Sequence, residues 1–235
     1  MKIAVAVFPG SNCERDTFNV LKHNLRIDTD LIWHKESNLN NYDAVILPGG
    51  FTYGDYLRGG VIAAFSPIMK QVKKMAEKGK PVLGICNGFQ TLVEAGLLPG
   101  ALMSNISLKF ICKWTKLKVE NNGTAFTNIC VQNSILNMPI AHQQGRFFIK
   151  NENLKHLIDH NQIVLTYVNN KGETSNDINP NGSIMNIAGI SNEEGNVMGL
   201  MPHPERASEP ALSPLRSADG LLFIFKSMLN YLKKA

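Results

Sequence analysis

The stretch Pro81-Val-Leu-Gly-Ile-Cys-Asn-Gly-Phe-Gln90 decides how the rest of the chain is read. Val82, Leu83 and Ile85 form a short apolar run behind Lys80-Pro81, the pattern of a strand buried on both faces. The run stops at Cys86, and Phe89 to Glu94 take up a helical pattern. Gly84 and Gly88 flank the cysteine two residues away on either side. A sharp strand-to-helix reversal brings backbone too close for side chains, so glycines at these positions fit a nucleophile elbow. The thiol then stands at a helix N-terminus, whose partial positive charge favours thiolate. Taken alone, the stretch also fits a core cysteine in an ordinary strand–turn–helix.

Toward the N-terminus the same alternation repeats. Ile3 to Phe8 is an apolar run ending at Pro9-Gly10-Ser11-Asn12, a buried strand and its turn. A helical spacing of Phe18, Leu21 and Leu25 follows, then strands at Asp30–Trp33 and Tyr42–Leu47, the latter ending at Pro48-Gly49-Gly50. A longer helix is predicted from Val61 to Lys78, closed by Gly79. Strands alternating with helices imply a parallel sheet covered on both faces, with ligands outside the carboxyl ends of its strands. Gly10, Gly50 and Cys86 all fall at such ends.

Toward the C-terminus the pattern becomes strand-rich, with runs at Ile106–Ile111, Lys116–Val119, Ile129–Val131, Arg146–Ile149 and Ile163–Tyr167 and few helices between them. Ile184–Ile190 and Val197–Met201 flank a hairpin turn, 169–182 is a polar surface loop, and a helix closes the chain from Ala218 to Lys234. The fold expected is α/β, a three-layer open and mostly parallel sheet with helices on both faces and extra strands in the second half. Residues 1–235 read as a single domain.

The second informative stretch, Met201-Pro-His203-Pro-Glu205-Arg206, also follows an apolar strand. A histidine two residues before a carboxylate suits a general base and its orienting partner, and the flanking prolines hold the segment extended. The Gly-rich segment 49–60 lacks the Gly-Lys-Ser/Thr ending of a phosphate loop; its better reading is an oxyanion strand, with the Gly50 N–H turned toward the elbow. His23, His34, His156 and His160 are expected to face solvent, while His142 lies between apolar runs and can line a pocket.

Bulk properties narrow the class. Hydrophobic residues make up 44% and charged residues 18%, which suits a globular protein rather than a disordered one. The net charge of +5 comes from scattered lysines without aromatic interleaving, so no nucleic-acid partner is expected. Four cysteines (Cys13, Cys86, Cys112, Cys130) form no C-x-x-C pair, and the first apolar run is too short for a leader or a membrane span. A cytoplasmic protein with reduced thiols and no metal site is expected.

These residues together resemble a known family. Gly84-Ile-Cys86-Asn-Gly-Phe-Gln90, with Met201-Pro-His203-Pro-Glu205 far downstream, is similar to the class I (triad) glutamine amidotransferases. Phe8-Pro-Gly-Ser-Asn-Cys13, Leu47-Pro-Gly-Gly-Phe-Thr-Tyr-Gly-Asp-Tyr-Leu-Arg58, Gly96-Leu-Leu-Pro-Gly-Ala-Leu102 and Asn179-Pro-Asn-Gly-Ser183 resemble its small, separately encoded glutaminase subunits. The resemblance implies Cys86 as nucleophile, His203 as acid/base, Glu205 as its partner, Gly50 and Asn87 as oxyanion donors, and Gln90 as a substrate contact. It implies L-glutamine as substrate and no cofactor in this chain. It further implies a large synthetase subunit that uses ATP and Mg to aminate formylglycinamide ribonucleotide in purine biosynthesis, and a small bridging subunit. Segments 52–60 and 169–182 are the expected partner contacts, with low activity outside the complex. One departure is Ala141-His-Gln-Gln-Gly145, where relatives often read Ala-His-Gly-Glu-Gly; Gln143 places a side chain beside the expected substrate. The alternatives are an amidotransferase subunit of another pathway, a cysteine-elbow peptidase or deglycase-like hydrolase, and a subunit that only binds glutamine or a partner.

Overall fold

The computed structural model of the chain describes residues 1–234. Its first half builds β1 (Lys2–Val7), α1 (Glu14–Asn19), β2 (Asp28–Trp33), β3 (Ala44–Leu47), α2 (Val61–Ala64), α3 (Pro67–Glu77), β4 (Val82–Ile85) and α4 (Asn87–Glu94). The second half builds β5 (Ala101–Met103), β6 (Ile111–Val119), β7 (Ile135–His142), β8 (Arg146–Phe148), α5 (Asn151–Asp159), β9 (Ile163–Val168), β10 (Ile187–Ser191), β11 (Val197–Leu200) and α6 (Lys226–Lys234). The large sheet runs β2-β1-β3-β4-β11-β10-β9-β6-β7. It is parallel from β2 through β11 and antiparallel from β11 to β7.

Every residue of β3, β4 and β11 is buried, as central parallel strands covered on both faces require. From β1 the chain moves outward to β2 through α1, and from β3 it moves the other way to β4 through α3. Right-handed crossovers then put α1 and α3 on opposite faces. The expected α/β layering is thus found, with β11, the last strand in sequence, inserted beside β4 at the centre.

The far end of the sheet does not stay remote. His203, just past β11, donates its backbone N–H to the carbonyl of Pro139 in edge strand β7 at 2.8 Å. The sheet therefore coils until its edge meets the carboxyl ends of its centre.

Several local expectations fail for identifiable reasons. The helix predicted over 61–78 is two helices, because Ser66 before Pro67 is extended (ψ 148°) and Pro67 opens α3. Ile106–Ile111 is a turn rather than a strand. Its apolar side chains Ile106, Leu108 and Phe110 are exposed, and only Ile111 enters β6. Ile129–Val131 is likewise a turn, and the true strand β7 begins at Ile135. Helix α5 stands where few helices were expected.

Phe89 of α4 covers Gly199 of β11 and stacks on Phe147 at 6.1 Å, locking the elbow helix to the sheet. A methyl group on Gly199 would overlap the Phe89 ring. Gly199→Ala is expected to cost about 1–3 kcal/mol by overpacking, read as a lower urea midpoint at unchanged m-value.

Candidate active site

Cys86 is where the elbow reverses, and its backbone shows the reversal directly: φ is 50° and ψ is −103°. Such a conformation in a residue other than glycine costs on the order of 1–3 kcal/mol and persists only when surroundings enforce it. They do so here. The Cys86 N–H donates to Leu200 O at 2.8 Å, extending the β4–β11 ladder, and the chain then enters α4. A Cβ on Gly84 would meet Gly88 backbone at 2.7 Å, and one on Gly88 would overlap the Leu47 carbonyl. Both glycines are therefore required by close backbone approach.

The parallel register Leu200↔Ile85 places the segment after β11 beside the segment after β4. His203 and Glu205 lie on that segment, and His203 Nδ1 meets Glu205 Oε1 at 2.6 Å with both side chains buried. Burial lowers the imidazole pKa, but the Glu205 carboxylate and the thiols of Cys86 and Cys13 outweigh it and raise it well above the usual histidine value. Nδ1 is committed to Glu205, while Nε2 is buried without a hydrogen-bond partner. Behind the ring, the Cys13 thiol accepts a hydrogen bond from Arg206 Nη2 at 3.1 Å.

Gly50 is held by the turn after β1. Asn12 and Cys13 donate N–H groups to Gly49 O at 3.3 and 3.2 Å, and Phe51 and Tyr53 donate to Gly10 O and Pro9 O at 2.9 and 2.8 Å. A Cβ on Gly50 would come within 2.7 Å of Ser11 Cα. The glycine-rich ends of β1 and β3 thus clasp one another, and Gly50 lines a cavity of about 200 Å³ with Cys86 and Gln90. Asn87 takes the first position of α4, where the N–H has no intrahelical acceptor. Its side-chain Oδ1 accepts from Thr52 N at 3.1 Å, and its Nδ2 donates to Gln90 Oε1 at 2.7 Å. Gln90 in turn donates to Gln144 O at 2.6 Å, so both ends of its amide are engaged by protein. All six residues singled out from sequence therefore surround one elbow, and the Cys86 thiol points to Ala141 O at 3.8 Å.

Some contributors were not legible beforehand. His142, expected as a residue that can line a pocket, is buried and lines the cavity, but its anchor Asn105, just before the turn first read as a strand, was not foreseen. Asn105 Oδ1 accepts from Gly145 N at 3.1 Å, which makes it an acceptor for His142 Nδ1–H at 3.1 Å as well. His142 Nε2 is therefore the bare, unpartnered nitrogen. Gln143 is exposed at the cavity wall, while Gln144 Oε1 accepts from Gly59 N at 3.0 Å and ties segment 52–60 across the mouth. Of the histidines expected in solvent, His34 is instead buried, with Nδ1 at 3.2 Å from Tyr53 Oη.

Burial, aided by the charge of His203, pushes His142 down to about 3. The folded protein then resists a proton that the unfolded chain accepts below about pH 6.5. Stability is lost as pH falls from that value toward 3. Measured by urea unfolding, the stability advantage of wild type over His142→Asn is expected to shrink by about 3 kcal/mol between pH 7 and pH 4; a constant difference would contradict a buried neutral imidazole.

Comparison with known proteins places the chain in a family. The CobB/CobQ-like glutamine amidotransferase domain family matches residues 1–232. The chain is 50% identical over 230 residues to the phosphoribosylformylglycinamidine synthase subunit PurQ of Aquifex aeolicus (strain VF5), covering 98% of this chain and all of that one. Among solved structures it is similar to a chain of PurLQS from Thermotoga maritima, with 44% identity, TM-score 0.82 and 98% of both chains covered. A glutamine amidotransferase of Thermotoga maritima shares the fold at 17% identity and TM-score 0.62, covering 100% of this chain and 99% of that one. The chain belongs to the CobB/CobQ-like glutamine amidotransferases and, within them, to the family of PurQ subunits of phosphoribosylformylglycinamidine synthase.

Proposed function

We propose that the chain hydrolyses L-glutamine at Cys86 and passes the ammonia to a synthetase subunit that aminates formylglycinamide ribonucleotide with ATP and Mg. The observation that carries this is the buried His203–Glu205 pair beside a strained cysteine that opens into a small cavity. The Cys86 thiolate attacks the side-chain carboxamide carbon of glutamine, and the oxyanion forms near the N–H groups of Gly50 and Asn87. Each such donor is worth about 3 kcal/mol in comparable oxyanion holes. The C–N bond then breaks. His203, held protonated by Glu205, gives its proton to the departing nitrogen, which leaves as ammonia with the thioester behind. Water, deprotonated by His203, cleaves the thioester and returns glutamate and the thiol.

Ammonia is a nucleophile only while unprotonated, so it must travel inside protein to its acceptor. The rim of the cavity supports a docked partner. Phe51 lines the mouth and lies 6.3 Å from the Phe110 ring. Tyr56, Leu57, Phe65, Ile106 and Leu108 are 72–89% exposed. A set of exposed large apolar side chains on the segments that flank a catalytic mouth is what a protein interface core requires. It includes segment 52–60, expected as a contact; segment 169–182 is mostly polar. A cytoplasmic complex with a small bridging subunit completes the reading. Among the described residues no helix is long and apolar enough to cross a membrane.

The test separates glutamine-dependent from ammonia-dependent synthesis in the reconstituted complex. Cys86→Ala is expected to lower the glutamine-dependent rate by about 10³-fold or more while ammonium salts still support synthesis. Glutamine-dependent synthesis that survives Cys86→Ala would refute the mechanism. Leu57→Glu with Phe65→Glu is expected to abolish copurification with the synthetase at an unchanged melting temperature; retained assembly would move the interface elsewhere.

A further inference from the structure

We propose that Asp55 receives the α-ammonium group of the substrate and so makes the cavity selective for an amide that is also an α-amino acid. This rests on the reading of the cavity as a glutamine site. Asp55 lines the cavity together with Cys86, Gly50 and Gln90. Apart from the Cys86 nucleophile it is the one acidic side chain in the cavity lining, and His142 stays neutral.

The carboxylate has no countercharge of its own. Asn87 Nδ2 donates to Asp55 Oδ1 at 3.2 Å, and the Gly60 N–H is a second neutral donor. Arg58, the cation of the same segment, is engaged by Glu94 at 2.6 Å instead. Half-buried without a cation, the Asp55 carboxyl is pushed up by desolvation, which those two donors only partly offset. A carboxylate so placed is completed by a ligand that brings positive charge.

The segment is built to hold it there. Tyr53, Gly54 and Asp55 are successively left-handed, with φ of 53°, 72° and 50°. Only the middle one is glycine, so the other two are strained and are kept in place by contacts. The principal contact is Asn87, the residue next to the nucleophile, whose side chain fixes Thr52 N and the Asp55 carboxylate together. One amide thereby sets the position of the charge relative to the thiol. In glutamine the reacting carboxamide carbon and the ammonium-bearing carbon are three bonds apart, so both reach their partners in one small cavity.

The experiment compares L-glutamine with glutaramate, the same amide without the α-amino group, in the complex with the synthetase. Wild type should strongly prefer glutamine. Asp55→Asn should lower kcat/KM for glutamine about 10- to 100-fold through KM, with kcat within a few-fold of wild type. Glutaramate turnover should fall far less than glutamine turnover, so the preference collapses. The ratio of two substrates within one variant does not depend on the fraction of protein folded. Equal loss on both substrates, or an unchanged KM for glutamine, would overturn the role of Asp55 alone. Failure of wild type to release glutamate from glutamine would remove the underlying reading as well.

Discussion

The parallel pairing of β4 with β11 is the constraint on which the site depends. Ile85 opposite Leu200, continued by the Cys86 N–H on the Leu200 carbonyl, sets two strand ends side by side although they are more than a hundred residues apart in sequence. One end turns into α4 and the other into the extended Pro-His-Pro-Glu segment. A slip of one residue would exchange the faces of β11 and carry His203 away from the thiol. Both strands are buried on both faces, so close packing rather than polarity forbids it: only a glycine fits under the Phe89 ring at position 199, and that contact fixes the register of the segments carrying Cys86 and His203.

Around that register the remaining parts are held by polar contacts of short reach. The turn after β1 clasps the glycines after β3, and the returning edge strand β7 supplies a carbonyl to the His203 N–H. Charges are then arranged with few members. Glu205 raises the pKa of His203 against the cost of burial, whereas His142 is kept neutral by burial, aided by the charge of His203. Two imidazoles in one site are thus held in different states, one with its pKa raised by a carboxylate and the other neutral, with Nδ1–H on Asn105 and Nε2 bare.

How much of this was legible follows from the reach of each signal. The elbow was readable because Gly84 and Gly88 answer a purely local crowding, and the central strands because burial on both faces leaves continuous apolar runs. His203 and Glu205 were readable as a pair two residues apart. The second half was read less well. Pro139 interrupts the pattern of β7 and is tolerated because β7 is an edge strand, and the exposed apolar turn carrying Ile106, Leu108 and Phe110 mimics a strand. Asn105 and Asp55 gave no sequence signal of their own, because their importance lies in which nitrogen or cavity the fold puts beside them.

The central claim is that Cys86 carries the acyl group of glutamine, and it can be observed directly. Acid quenching of the assembled complex during glutamine turnover, followed by peptide mapping by mass spectrometry, should find a glutamyl thioester on the peptide containing Cys86. An adduct on Cys13, Cys112 or Cys130, or none on any cysteine while glutamate is being released, would contradict the account.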